Sequence, residues 1–423
     1  MKETLRFSVR IKKIFRQLGP GLITGASDDD PSGIATYSQA GAGFGFATLW
    51  TALITFPLMA SIQEMCARIG MVTQEGLTGT LKKHYSKFIL YMMMLFSFPA
   101  IILNIGADIQ GMGAVANLLV PQVPVAVFCT LFTAVLIFFI VRYPYQQLVK
   151  ILKWLCLALL LYVVVPFLVK PDWMDVFKHT FIPTIHFDKE FIEILVAILG
   201  TTISPYLFFW QATMEVEDMA HSKRRVVNRR LLRHMKTDVN IGMLFSNFVM
   251  FFLILTTGSV MFKAGIHKID TVEQAAKALE PLAGKLSYLL FALGVLGTGF
   301  LAIPVLAGTL SYIIAETYGW EQGLDKKFQQ ARGFYVTLIV SLVIGLLLHF
   351  LGISPINALL YTAILYGITS PVMIAIILHI SNNKAIMGEF TNRRWSNITG
   401  VITLVLMTAA AVALLYFQFK RAG

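Results

Sequence analysis

Charge is what this sequence has least of. Only 14% of its 423 residues are Asp, Glu, Lys or Arg, against 57% hydrophobic, and the mean hydropathy is +0.71. A soluble globular domain carries about 25% charged residues, so a water-soluble protein is excluded and a polytopic membrane protein is implied. Cysteine is nearly absent as well: Cys66, Cys129 and Cys156 each fall in or at the end of an apolar stretch. They offer neither a disulfide framework nor a zinc-ligand spacing. Long polar stretches are missing, which leaves no room for a large soluble module. The basic N-terminus, "MKETLRFSVRIKKIFRQLG", is not followed by a short apolar core with a small-residue cleavage site. Residues 1–19 are therefore expected to be a retained cytoplasmic tail and not a signal peptide.

What is present is a series of apolar runs of the ~20 residues that a membrane helix needs. Eleven are expected, near 20–43, 46–69, 88–114, 122–143, 146–169, 191–217, 237–262, 284–313, 334–352, 355–380 and 396–418. The net charge of +12 could suggest nucleic acid, but its distribution explains it otherwise. With the N-terminus inside, 26 of the 35 basic residues fall in the tail and in cytoplasmic connections, "HSKRRVVNRRLLRHMK" (221–236) foremost. That is the positive-inside bias; no nucleic-acid partner is called for, and the C-terminus is expected outside. The lipid bilayer is the implied partner, and a monomer suffices.

Two of the runs are interrupted in corresponding places. "SDDDPSGIAT" (27–36) breaks the first, and "GTTISPYLFF" (200–209) breaks the sixth. Five spans separate them, so two halves, about 20–169 and 191–380, would lie in opposite orientation, followed by an accessory helix at 396–418. Paired interruptions of this kind point to a transport site at the bilayer midplane. Each break places a capping residue before a proline, Asp30–Pro31 and Ser204–Pro205, which reads as the start of a second half-helix. The first half then ends with carbonyls around Ala26–Asp28, and its counterpart with carbonyls around Gly200–Thr202, lacking helical partners. In lipid such carbonyls must line a cavity or coordinate something. Partially negative helix ends beside a carboxylate make a cation site, and carboxylates at membrane depth are functional by default.

At these residues the chain resembles the Nramp (natural resistance-associated macrophage protein) family of divalent-metal transporters. The resemblance rests on "GPGLITGASDDDPSG" (19–33), "QEMCARIGMVTQEGL" (63–77), "NIGADIQGMGA" (104–114) and "PVMIAIILHISNNKAIMGEFTN" (371–392). It implies an all-α integral membrane protein with the leucine-transporter-type fold: two inverted five-helix repeats, broken first and sixth helices, and an eleventh helix. The departures have a direction. Gly33 stands where the family has a metal-ligating asparagine. Ser204 and Tyr206 stand where it has methionine and histidine. Gly111 replaces the third-span glutamate whose aspartate partner survives as Asp108, and Ala363 replaces a tenth-span glutamine. Losing a thioether leaves oxygen donors, which suit Mg²⁺, Ca²⁺ or Mn²⁺, and smaller side chains suit a partly hydrated ion. The pattern is similar to the Nramp-related magnesium transporter branch.

The expectation is thus a secondary transporter, not an enzyme, in a bacterial-type plasma membrane. It would move Mg²⁺, and also Mn²⁺, as substrate and not cofactor, with little or no proton coupling. The candidate metal site comprises Asp30, the Thr201 carbonyl, the Ser204 hydroxyl, Ala26, and Gly33 as a provider of space. Asp28, Asp29, Asp108 and Tyr206 would line the approach or hold waters of the ion's shell. Glu64 and Arg68, at i and i+4, should pair. A proton-coupled Mn²⁺/Fe²⁺ transporter is the main alternative. A sodium-coupled amino-acid or organic-solute carrier is disfavoured because three aspartates would repel a substrate carboxylate. An intramembrane aspartyl protease is disfavoured because "IGADIQG" does not match the motif of its second catalytic helix.

Overall fold

The computed structural model describes residues 19–144, 159–221 and 226–422, with side chains undescribed at 283, 285 and 418–422. The expected tail except Gly19, most of the expected fifth span with Cys156, and residues 222–225 of the basic segment lie outside the described residues. Among the described residues all regular structure is helical.

Among the described residues, eight helical stretches are long and apolar enough to cross a membrane, and they coincide with eight of the expected spans. The first expected span is instead two short helices, α1 (Pro20–Asp28) and α2 (Pro31–Phe44). The second is α3 (Trp50–Thr73), whose Gln63, Glu64 and Arg68 lower its hydropathy. A short α4 (Leu77–His84) leads into α5 (Lys87–Leu119) and α6 (Val125–Arg142). The described end of the fifth span is α7 (Leu161–Val169), followed by a surface helix, α8 (Trp173–Phe181). The sixth span is broken into α9 (Lys189–Thr202) and α10 (Pro205–His221). Then come α11 (Arg229–Thr257), α12 (Ser287–Tyr318), α13 (Arg332–Leu348), α14 (Pro355–Asn382) and α15 (Arg394–Ala422).

The two breaks have one construction. Each is two residues long, Asp29–Asp30 and Ile203–Ser204, and each restarts on a proline at the first helical position. Proline lacks an N–H, so the carbonyl four residues earlier loses its helical donor. Those carbonyls belong to Ser27 and Thr201. Asp30 takes extended backbone angles (φ −69°, ψ 172°) and its side chain accepts from the Gly33 N–H, which makes it the N-cap of α2.

Small residues bring the broken helices against their neighbours. Gly21 and Gly25, four apart on one face of α1, lie on the backbone of α11; a Cβ on Gly21 would stand 2.6 Å from the Val239 nitrogen. This is the small-xxx-small contact that lets membrane helices approach closely. Asp238 of α11 then accepts from the Gly19 N–H (2.9 Å) and the Gly21 N–H (2.7 Å), closing the N-terminus of α1. In the other half, Gly200 of α9 seats on the backbones of Ala363 and Gly367 in α14. The Glu64–Arg68 pair forms at 3.1 Å. Arg68 also donates to the Phe390 carbonyl (2.6 Å) and to Asn392, so the 63–77 and 371–392 segments meet at one guanidinium.

Candidate functional site

The two breaks face each other inside the molecule. A Cβ added to Gly33 would stand 3.3 Å from the Asp28 carbonyl oxygen and 3.5 Å from the Thr201 hydroxyl, so this glycine lies between the first break and the second. Tyr206, at the start of α10, donates its hydroxyl to the Ser27 carbonyl at 3.0 Å. That is the carbonyl orphaned by Pro31, supplied with a donor from the opposite half of the chain. The Thr201 carbonyl, orphaned by Pro205, accepts the Ser204 hydroxyl at 2.6 Å, and Ser204 also reaches Gly200 O at 3.1 Å. The Ile203 carbonyl accepts from Ser370 of α14 (3.0 Å), and Tyr37 meets Thr202 at 3.0 Å.

One expectation is corrected here. Ser204 does not use its hydroxyl to cap α10 as Asp30 caps α2; the hydroxyl points back to the end of α9. The reason is local: the nearest unpaired acceptor is the carbonyl that Pro205 deprived of its donor. Donation leaves the serine lone pairs free. Ala26 is half-buried in the last turn of α1, where carbonyls lack intrahelical donors.

The carboxylates divide into two sets. Asp30, 2% exposed, has Oδ1 on the Gly33 N–H (2.7 Å) and Oδ2 on the Asn104 amide of α5 (3.0 Å). Asp108, one turn further along α5 than Asn104, is fully buried and neither of its oxygens has a partner. Asp28 and Asp29 turn to the other side, where the Ser246 hydroxyl of α11 stands 2.6 Å from Asp28 Oδ2 and 3.2 Å from Asp29 Oδ1. Their remaining oxygens, Asp28 Oδ1 and Asp29 Oδ2, are unpartnered. Gly111 lies in a different environment: its absent side chain would meet Leu359 and Pro31, beside an apolar slot of about 20 Å³ lined by Val115, Phe291 and Ile356.

Among the described residues, every ion pair lies elsewhere, and none involves Asp28, Asp29, Asp30 or Asp108. Nor is there a cluster of three or more His, Cys, Asp or Glu side chains arranged to hold a metal. Buried carboxylates without basic partners are strongly unfavourable unless positive charge joins them. The arrangement therefore suits a cation held by few carboxylates and many neutral oxygens. Sequence reasoning missed Asn104, Tyr37, Ser246 and Ser370. Only Asn104 had a local signal, its i, i+4 spacing from Asp108 on one helical face.

Two helices broken at buried acids, within a bundle that is helical throughout the described residues, match the leucine-transporter-type fold. Among solved structures, a manganese transporter of Eremococcus coleocola superposes with a TM-score of 0.77 at 17% identity, covering 95% of this chain and 87% of that one. MhsT in complex with L-phenylalanine does so with a TM-score of 0.61 at 12% identity over 95% of this chain and 98% of its own. The family model "Natural resistance-associated macrophage protein-like" matches residues 21–417, and the chain belongs to the Nramp family. Named relatives include the divalent metal cation transporter MntH of Caldanaerobacter subterraneus, 26% identical over 99% of this chain and 97% of its own length. The MntH of Bacillus subtilis is 23% identical over 95% and 92% respectively.

Proposed function

We propose that this protein carries divalent metal cations across the membrane by alternating access, with the cation held between the two helix breaks against Asp30. The observation that carries the reading is Asp30 itself: a buried carboxylate between two unwound segments, without a basic partner, held by the Gly33 N–H and the Asn104 amide N–H. Thr201 contributes its carbonyl, and its hydroxyl lies beside Gly33; Ser204 contributes lone pairs, and Ala26 a carbonyl from the end of α1. The names of the relatives support a divalent metal cation as cargo, and an oxygen-only donor set accepts Mn²⁺ readily.

One observation favours Mg²⁺ as a second cargo. Gly33 and Ser204 leave the neighbourhood of Asp30 without sulfur or imidazole, an oxygen donor set that Mg²⁺ accepts. The apolar surroundings of Gly111 support weak proton coupling, because they leave Asp108 as the lone carboxyl of α5 near the break. Transport would then follow the membrane potential, which drives a divalent cation by about 4–5 kcal/mol per 100 mV.

The test is uptake into liposomes containing the purified chain, with Mn²⁺ and Mg²⁺ offered separately and internal pH followed by a dye. Uptake of Mn²⁺ that falls at least tenfold in Asp30→Ala is the expected result. A wild-type protein that moves neither ion, or an Asp30→Ala variant that moves them at the normal rate, would overturn the proposal. Internal acidification in step with metal entry would overturn weak coupling alone.

A further inference from the structure

Asn104 has a role beyond steadying Asp30. Its side chain is fully buried, its Nδ2 donates to Asp30 Oδ2 at 3.0 Å, and its Oδ1 has no partner. The orientation of the amide is fixed by chemistry: reversing it would set the amide oxygen against the Asp30 carboxylate, oxygen on oxygen. An amide oxygen buried in a membrane interior with nothing to accept is costly. It is not alone. Both Asp108 oxygens, one turn away on α5, are also buried without a partner. Acceptor oxygens are thus gathered on the face of α5 that walls the first break. Grouped acceptor oxygens are what a hard cation requires of its ligands.

Within the function proposed above, on which this step rests, we infer that Asn104 Oδ1 is a ligand oxygen for the transported cation. It returns to the site, from the third span, the amide oxygen that the resemblance leads one to expect at position 33 and that Gly33 cannot supply. A neutral amide carbonyl is a hard donor suited to Mn²⁺ and Mg²⁺. When the cation enters, Asp30 Oδ2 exchanges the Asn104 N–H for the ion, and the amide turns its oxygen to the same ion. Asn104 would therefore link occupancy of the site to the position of α5 against α2.

The experiment compares two variants that lose the same hydrogen bond to Asp30 but differ in one donor atom. Asn104→Ala removes the amide; Asn104→Cys removes it and places a sulfur at the same position. Uptake of Cd²⁺ and Mn²⁺ into proteoliposomes is measured for both. If Asn104 touches the ion, the Cd²⁺ over Mn²⁺ preference of Asn104→Cys exceeds that of Asn104→Ala by tenfold or more. If the residue only positions Asp30, the two variants share one preference, and the inference fails. Should neither variant fold, Mn²⁺ anomalous density in crystals of the wild-type chain decides. A peak about 2 to 2.5 Å from Asn104 Oδ1 supports ligation, and a peak beyond about twice that distance overturns it. Failure of the functional reading looks different: wild-type protein without Mn²⁺ uptake, and uptake insensitive to Asp30→Ala.

Discussion

Replacing Asp238 by alanine removes the carboxylate that closes the N-terminus of α1. That carboxylate accepts from the Gly19 and Gly21 amides at 2.9 and 2.7 Å, from a residue on α11 more than two hundred positions away. Hydrogen bonds to a charged group contribute about 1.5–3 kcal/mol net, and a negative charge at a helix N-terminus adds about 0.3–1 kcal/mol. The two bonds share one carboxylate, so their contributions do not simply add. We take a total of about 2–3 kcal/mol, equivalent to roughly a 30- to 150-fold shift in the equilibrium between docked and undocked α1. Hydrogen–deuterium exchange reads this directly. Amides of residues 21–28 in Asp238→Ala should exchange about 30- to 150-fold faster than in the wild type, while those of α14 keep their wild-type rates. Gly21 and Gly25 still hold α1 on α11 in the variant, so the helix loosens and does not unfold globally. Unchanged exchange over 21–28 would refute the reasoning, because the Asp238 contacts would then contribute nothing to holding α1.

Two further outcomes follow from the same geometry. Arg68→Met strands Glu64 and breaks the tie to Phe390 and Asn392; losing one partner of a largely buried pair costs about 3–5 kcal/mol, so the midpoint of thermal unfolding followed by tryptophan fluorescence should fall by several degrees. An unchanged midpoint would mean that the junction between α3 and the segment joining α14 to α15 is held by apolar packing alone. The double variant G33N/S204M fills the space between the Asp28 carbonyl and the Thr201 hydroxyl and adds a thioether; the Mn²⁺ to Mg²⁺ uptake ratio should rise at least tenfold, and a constant ratio would show that neither position touches the ion.

Much of this was legible in the sequence because its causes are local. Asp30–Pro31 and Ser204–Pro205 restart a helix at a capping residue followed by proline, whereas Pro57, Pro99, Pro304 and Pro371 lie inside continuous helices, and Asp30 caps α2 three residues before Gly33. The Glu64–Arg68 pair needs only one helical turn. What was not legible depends on residues far apart in the chain. Tyr206 supplies the donor that Pro31 denies to Ser27, and Ser246 serves Asp28 and Asp29, across separations of 179 and about 218 residues. The direction of the Ser204 hydroxyl was misread because two acceptor carbonyls and a set of α10 amides compete for it. Asn104 was overlooked for a simpler reason: an asparagine in an apolar helix reads as a packing polar until its partner, on another span, is placed beside it.

The central claim is that a divalent cation sits against Asp30 where the two helix breaks meet. Titration of detergent-purified protein with Mn²⁺, with free ion counted by electron paramagnetic resonance, tests it without relying on transport. The account predicts one saturable Mn²⁺ per chain in the wild type, lost in Asp30→Ala protein that elutes as a single folded species. Saturable binding of the same strength in Asp30→Ala would place the ion elsewhere and contradict it.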